Sequence, residues 1–204
     1  MTQGTLFMVS APSGAGKTSL LKALLEQDEL LHVSASFTTR PKRSEEVEGR
    51  DYHFVDFKDF LQKVEDGSFL EHAKVFDNYY GTDRKEVFDQ LEQGFDVILE
   101  IDWQGARQIR SSMSDTISIF ILPPSEDVLH QRLLDRGQDG EDVIQRRMYE
   151  AKSQISHFSE FDYLVVNEDF SLALEELRSI VRANRLRQER MAEKLQDQLA
   201  GMLG

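Results

Sequence analysis

Four stretches of this chain are apolar almost without interruption: Thr5 to Ser10, Val97 to Ile101, Ile117 to Leu122 and Tyr163 to Val166. A strand with one wet face alternates apolar and polar residues. Unbroken runs of this length instead suit strands covered on both sides, as in parallel sheets. Between the runs, the spacing turns helical. Leu20, Leu21, Leu24 and Leu25 share one face of a helix over Lys17 to Gln27. Asp83 is placed to N-cap a segment that ends near Gly94, and Ser125 to cap another with Glu126 and Asp127 in its first turn. Strands alternating with helices predict an α/β fold, a parallel sheet flanked by helices through right-handed crossovers.

The stretch from about Val33 to Gly81 breaks this rhythm. It holds arginines, aromatics and short β-like pieces such as Tyr52 to Val55, with one helix expected from Phe57 to Asp66. It reads as an insertion. From Asp135 to Arg147 the chain is polar and charged, with Gly137 and Gly140, a composition suited to a mobile lid joined to a helix. Leu172 to about Leu199 reads as one long helix whose basic stretch, Arg178 to Lys194, is expected to be a solvated, salt-bridged face. Met191, Leu195 and Leu199 form a thin apolar stripe on it, which leaves self-association into a homo-oligomer open.

Composition narrows the function classes. The 204 residues suffice for one compact domain with a sizeable core. With no cysteine, disulfides and thiolate metal sites are excluded. The five histidines, at 32, 53, 72, 130 and 157, have no metal-ligand spacing. No stretch approaches the roughly 20 apolar residues that span a bilayer, and the N-terminus lacks the features of a signal peptide, so a cytoplasmic enzyme without a membrane partner is expected. A net charge of −13, from 37 acidic and 24 basic residues, argues against nucleic acid as a partner. Any phosphate must be bound by a few local donors against an unfavourable field.

Such donors stand directly after the first strand. Ala11, Pro12, Ser13, Gly14, Ala15, Gly16, Lys17 and Thr18 follow a strand and open a helix, the context a P-loop requires. There, successive backbone N–H groups wrap an ATP or GTP phosphate chain, Lys17 lies across the β- and γ-phosphates, and Thr18 offers its hydroxyl to Mg²⁺. Residue 11 is alanine where the general formula has glycine. Asp102-Trp103-Gln104-Gly105 imitates a GTPase switch, but no N-K-x-D follows to read guanine on the cofactor, so a small kinase acting on a nucleotide fits better.

The rest of the chain sharpens that reading. Ser36-Phe37-Thr38-Thr39-Arg40-Pro41-Lys42-Arg43, then Glu46-Val47-Glu48-Gly49-Arg50-Asp51-Tyr52, strongly resembles the signature of the guanylate kinase family. The likeness continues through Phe69-Leu70-Glu71-His72-Ala73, Asn78-Tyr79-Tyr80-Gly81-Thr82 and Ile101-Asp102-Trp103-Gln104-Gly105. The resemblance implies a P-loop NTPase-type sheet over 4–185, with a core of 4–32 and 83–185, a GMP-binding insertion of about 33–82 and a lid of about 135–147. Residues 186–204 follow as a C-terminal helical extension. It also implies transfer of the γ-phosphoryl group of Mg-ATP to GMP. Ser36, Arg40, Arg43, Tyr52 and Tyr80 would hold the acceptor phosphate, Glu71 and Thr82 would read guanine, and Arg136 and Arg147 would close onto ATP, with Arg132 beside them. Asp102 is expected near Mg²⁺ or Lys17 and Glu100 near the acceptor, although the family usually has aspartate at position 100. Asn167 is expected to help hold adenine. Two rival readings stay open: a non-catalytic protein-binding scaffold, and a kinase for another phosphorylated ribose compound.

Overall fold

A computed structural model describes residues 3–75, 77–135 and 140–204. In chain order the elements are β1 (Leu6–Ser10), α1 (Lys17–Leu25), β2 (Leu31–Val33), β3 (Phe37–Thr38), β4 (His53–Phe54), α2 (Phe57–Glu65), β5 (Phe69–Val75), β6 (Asn78–Asp83) and α3 (Arg84–Glu92). There follow β7 (Asp96–Glu100), α4 (Trp103–Ser112), β8 (Thr116–Leu122), α5 (Glu126–Asp135), α6 (Glu141–Ile155), β9 (Tyr163–Val166), α7 (Phe170–Arg185), α8 (Gln188–Lys194) and α9 (Gln196–Leu203).

One sheet runs β2-β7-β1-β8-β9, with every pairing parallel. The unbroken apolar runs now have a physical cause. In β1, Leu6 and Met8 face a core with Val87, Leu91 and Ile109 from α3 and α4. Phe7 and Val9 face the opposite core, with Leu20, Leu24 and Leu177 from α1 and α7. Because successive side chains point to opposite faces, a strand sandwiched between helices must be apolar at every position. Each such side chain, once buried, contributes roughly 1.5–3 kcal/mol. The short β2 was not legible, because its three residues are interrupted by His32, which stacks on Phe95 at 4.0 Å.

A second sheet, β4-β3-β6-β5, stands apart from the first and is mostly antiparallel. Its hydrophobic side packs on α2 through Phe60, Phe69 and Phe37. Asp56 caps α2 and Asp83 caps α3, accepting from Asp59 N–H at 2.8 Å and Glu86 N–H at 3.1 Å. Ser125 accepts from Val128 N–H at the start of α5, where the sequence places a cap.

The C-terminal segment corrects the expectation of a single long helix. Helix α7 stops at Arg185, and the chain bends before α8. Asp96, 1% exposed, causes the bend: Arg185 Nε donates to one of its oxygens at 2.6 Å, and Arg190 Nη1 to the other at 3.1 Å. Residues five apart on a straight helix point about 140° away from each other, so both can reach one carboxylate only if the helix breaks. Asn184 adds a buried bond to Thr5 Oγ1 at 2.7 Å, and Arg185 also pairs with Asp28. The basic stretch is thus partly a half-buried anchor on Asp96 rather than a wholly solvated face. Among the described residues, no helix is long and apolar enough to cross a membrane.

Candidate active site

A cleft of about 250 Å³ opens at the carboxyl ends of β1 and β7 and is closed on the far side by the second sheet. Parallel α/β sheets bind ligands at this edge, because the loops and helix N-termini there point at a common volume. Its floor is the turn between β1 and α1. Gly14 and Gly16 adopt φ of 94° and 91°, in the left-handed region that favours glycine. Helix α1 has neither a side-chain cap nor an acidic residue in its first turn, so its N-terminal N–H groups stay available to an anion. The turn is braced from below. Asn167, 5% exposed, donates from Nδ2 to Ala15 O at 2.7 Å, and Arg132 Nη2 donates to Asn167 O at 3.0 Å. A β-carbon at Gly16 would stand 2.2 Å from Asn167 Nδ2, so that contact demands glycine.

Lys17 and Thr18 line the cleft beside Ala11 and Ser13. Lys17 Nζ lies 3.3 Å from Glu100 Oε2. Here the acidic pair departs from expectation. Asp102 accepts from Gly105 N–H at 3.0 Å and from Gln104 Nε2 at 2.8 Å, so it caps α4, while Glu100 takes the lysine. Both carboxylates still line the cavity.

The second sheet contributes Ser36, Tyr52, Glu71 and Tyr80 to the same cavity. Tyr52 and Tyr80 meet edge-on at 6.1 Å, and the Arg40 guanidinium lies 5.3 Å from the Tyr52 ring centre. Burial, reinforced by the Glu100 charge, pushes the Tyr52 phenol up to about 12, so it remains a donor at neutral pH. Arg40 donates to Glu46 Oε1 at 2.6 Å and to Pro41 O at 2.8 Å, and Arg43 N–H donates to Glu46 Oε2 at 2.8 Å. Burial works against ionisation of Glu46, but these donors hold its carboxyl below the ordinary value. Glu46, which the sequence did not single out, thus aims Arg40. The side chains of Arg40 and Arg43 stand outside the cavity wall proper.

Glu71 faces Thr82 across the β5–β6 ladder, and Thr82 Oγ1 donates to its Oε1 at 2.6 Å. Both residues are buried, at 4% and 0% exposure. Among the described residues no cation accompanies the carboxyl, and burial, aided by the Asp102 charge, raises it to about 7 against the Thr82 hydrogen bond. Glu71 Oε2 packs so close to Gly105 that a β-carbon there would lie 2.5 Å away.

From the other side, α6 reaches the cleft with Gln154, a second residue that sequence reasoning missed. Arg147 lies on α6 outside the cavity wall, two helical turns before Gln154 and so on the same face. Arg136 lies outside the described residues, as does part of the expected lid. Asn167, expected at adenine, instead braces the phosphate-binding turn. The site offers a dense row of anion donors at one end, and at the other the Glu71 carboxyl, held by a Thr82 that does not itself line the cavity and able to read a flat polar ring.

The chain is similar to known proteins along nearly its whole length. The model of the family described as "Guanylate kinase" matches residues 3–184. The guanylate kinase of Alkalilimnicola ehrlichii is 56% identical over 201 residues, covering 98% of this chain and 99% of that one. That of Methylococcus capsulatus is 54% identical over 204 residues, covering 100% of both. Among solved structures, guanylate kinase from Anaplasma phagocytophilum superimposes with a TM-score of 0.79 at 35% identity, covering 95% of this chain and 94% of that one.

Proposed function

The chain belongs to the guanylate kinase family and phosphorylates GMP to GDP with ATP as donor, and we propose that the cleft between its two sheets carries out this transfer with the residues assigned below. The observation that supports the assignment best is the convergence of Lys17, Thr18, Ser36, Tyr52, Glu71 and Tyr80 on one cavity.

The acceptor binds against the second sheet. Glu71 accepts from guanine N1–H and one hydrogen of its 2-amino group, while Thr82 holds the carboxylate in place. Adenine lacks that donor pair, so AMP leaves Glu71 unpaired and is rejected. The GMP phosphate meets Ser36, Tyr52, Tyr80 and the guanidinium groups of Arg40 and Arg43. ATP lies along Ala11 to Thr18, with Arg147, and Arg136 before it, closing over its phosphates. A GMP phosphate oxygen attacks the γ-phosphorus, the bond to the β-phosphate oxygen breaks, and ADP leaves. The attacking oxygen is already anionic at neutral pH, so no general base is needed. The residues act by alignment and by charge neutralisation.

The donor set suits Mg²⁺ that arrives on ATP. Among the described residues no three His, Asp or Glu side chains converge on a metal-sized site. Thr18 and Asp102 would complete the shell of an ion held mainly by phosphates, and Mg²⁺ when bound neutralises charge on the transferring group. In this reading residues 33–82 carry the acceptor, Arg147 serves the donor from α6, and 186–204 lie outside the catalytic core. We place the enzyme in the cytoplasm, where its nucleotide substrates are made and used.

The test is ADP release from Mg-ATP in a coupled assay, with GMP, AMP, CMP or UMP as acceptor. Rapid turnover with GMP alone is expected, and Lys17→Ala should lower it at least roughly 10²-fold with an unchanged melting curve. Near-wild-type activity in that variant would sink the assignment.

A further inference from the structure

We propose that Gln154 on α6 is an additional guanine-specificity residue, whose side-chain carbonyl accepts a hydrogen bond from the 2-amino group of the bound acceptor. The inference rests on the assignment of Glu71 to the guanine edge. Gln154 Oε1 is buried and has no hydrogen-bond partner among the described residues. Buried acceptors are nearly always satisfied, so one left open on the wall of a binding cavity is kept for a donor that a ligand brings. Gln154 lines the same cavity as Glu71 and Asp102.

The fold decides which end of the acceptor it meets. His157, almost one turn further along the chain, stacks on the indole of Trp103 at 3.8 Å with the rings 15° apart. Trp103 directly follows Asp102, whose charge is felt by Glu71. One turn back from this stack, and so near the Trp103 side of the cavity, Gln154 is assigned to the base-reading end of the cleft rather than to the phosphate donors. Guanine presents donors there in a fixed number: N1–H and the two hydrogens of the 2-amino group. A carboxylate in the plane of the ring takes N1–H and the nearer amino hydrogen. The outer amino hydrogen is left, and an acceptor on a helix crossing the cleft mouth is placed to meet it. Because Gln154 shares a face of α6 with Arg147, one rigid helix would register the base at one point and the donor phosphates at another.

GMP and IMP separate this role from a structural one, since IMP is GMP without the 2-amino group. Gln154→Leu keeps the size and removes the acceptor. Its kcat/KM for GMP should fall roughly tenfold, chiefly through KM, while the value for IMP stays unchanged. Where IMP turns over too slowly, its inhibition constant against GMP serves instead. Gln154→Glu, which restores an acceptor, should regain most of the preference for GMP over IMP. An unchanged GMP-to-IMP ratio in Gln154→Leu would overturn the proposal. So would an equal loss for both nucleotides, which would make the residue a positioning element of α6. Glu71→Gln in the same assay keeps the two failures apart. If it also leaves the ratio unchanged, the guanine assignment itself is wrong; if it alone collapses the ratio, only the role of Gln154 is lost.

Discussion

Replacing Glu71 with glutamine should make the free protein more stable at alkaline pH and at the same time destroy its hold on GMP. Glu71 is 4% exposed, and its hydrogen-bond donor is the Thr82 hydroxyl. Burial lifts the carboxyl from an ordinary 4.5 to about 7. Between these two values the folded protein holds a proton that the unfolded chain has released. Stability therefore falls as pH rises through that window and levels off above it. At about 1.4 kcal/mol for each pH unit of displacement, ionising Glu71 costs the fold about 3 kcal/mol at pH 8. Glutamine keeps an oxygen for Thr82 and has no charge to bury, though its amide N–H groups offset part of the gain. For a chain of this length, the melting temperature of Glu71→Gln should exceed that of wild type by about 5 °C at pH 8, and by little or nothing at pH 5. Scanning calorimetry at the two pH values reads this directly. GMP needs the ionised carboxylate, so the KM of the wild type for GMP should also rise as pH drops from 8 to 6, and the variant should show no such slope. The same melting difference at both pH values would refute the reasoning, because it would mean that Glu71 is not ionised at the cost of stability.

Two further predictions test the brace and the anchor. Asn167→Ala removes the bond to Ala15 O that steadies the phosphate-binding turn, so KM for ATP should rise roughly five- to tenfold with KM for GMP unchanged; steady-state kinetics with each substrate varied in turn reads the split. Asp96→Ala leaves Arg185 and Arg190 without the carboxylate they share. It should lower the unfolding free energy by about 3–5 kcal/mol in urea titrations, while kcat well below the melting point stays near wild type.

Legibility in the sequence followed how far local chemistry constrained each part. The central strands were readable because burial on both faces forces apolar residues at every position, and the phosphate-binding turn because its backbone demands glycine at residues 14 and 16. The break after Arg185 was hidden, since neither glycine nor proline marks it and its cause, Asp96, lies 89 residues away. The roles of Glu100 and Asp102 were exchanged with respect to Lys17 for a similar reason. Two residues apart on a continuing strand they would project alike, but β7 ends at Glu100, and Asp102 becomes the cap of α4. Gln154 carries no signal of its own: an amide on a long helix is ordinary, and only the cavity shows that its oxygen is buried and unmatched.

The placement of satisfied and unsatisfied polar groups divides the molecule by task. At the amino end of the main sheet, the Asp96 carboxylate accepts from Thr5 N–H, Arg185 and Arg190. Apart from one nitrogen of Arg185, this cluster is closed. Closed networks of buried charge fix one geometry and respond to nothing, which suits the seam where the C-terminal helices meet the sheet. At the carboxyl end the reverse holds. Among the described residues, Glu71 has a single hydrogen-bond donor and Gln154 Oε1 has no partner, and both side chains line the cleft. Each of these groups destabilises the free protein and is repaid only by a ligand that supplies the missing partner. A nucleotide of the wrong pattern leaves the debt in place, so the discrimination against it is drawn from the free protein's own instability. Stabilising substitutions within the cleft should therefore relax selectivity, and stabilising substitutions around Asp96 should leave it untouched.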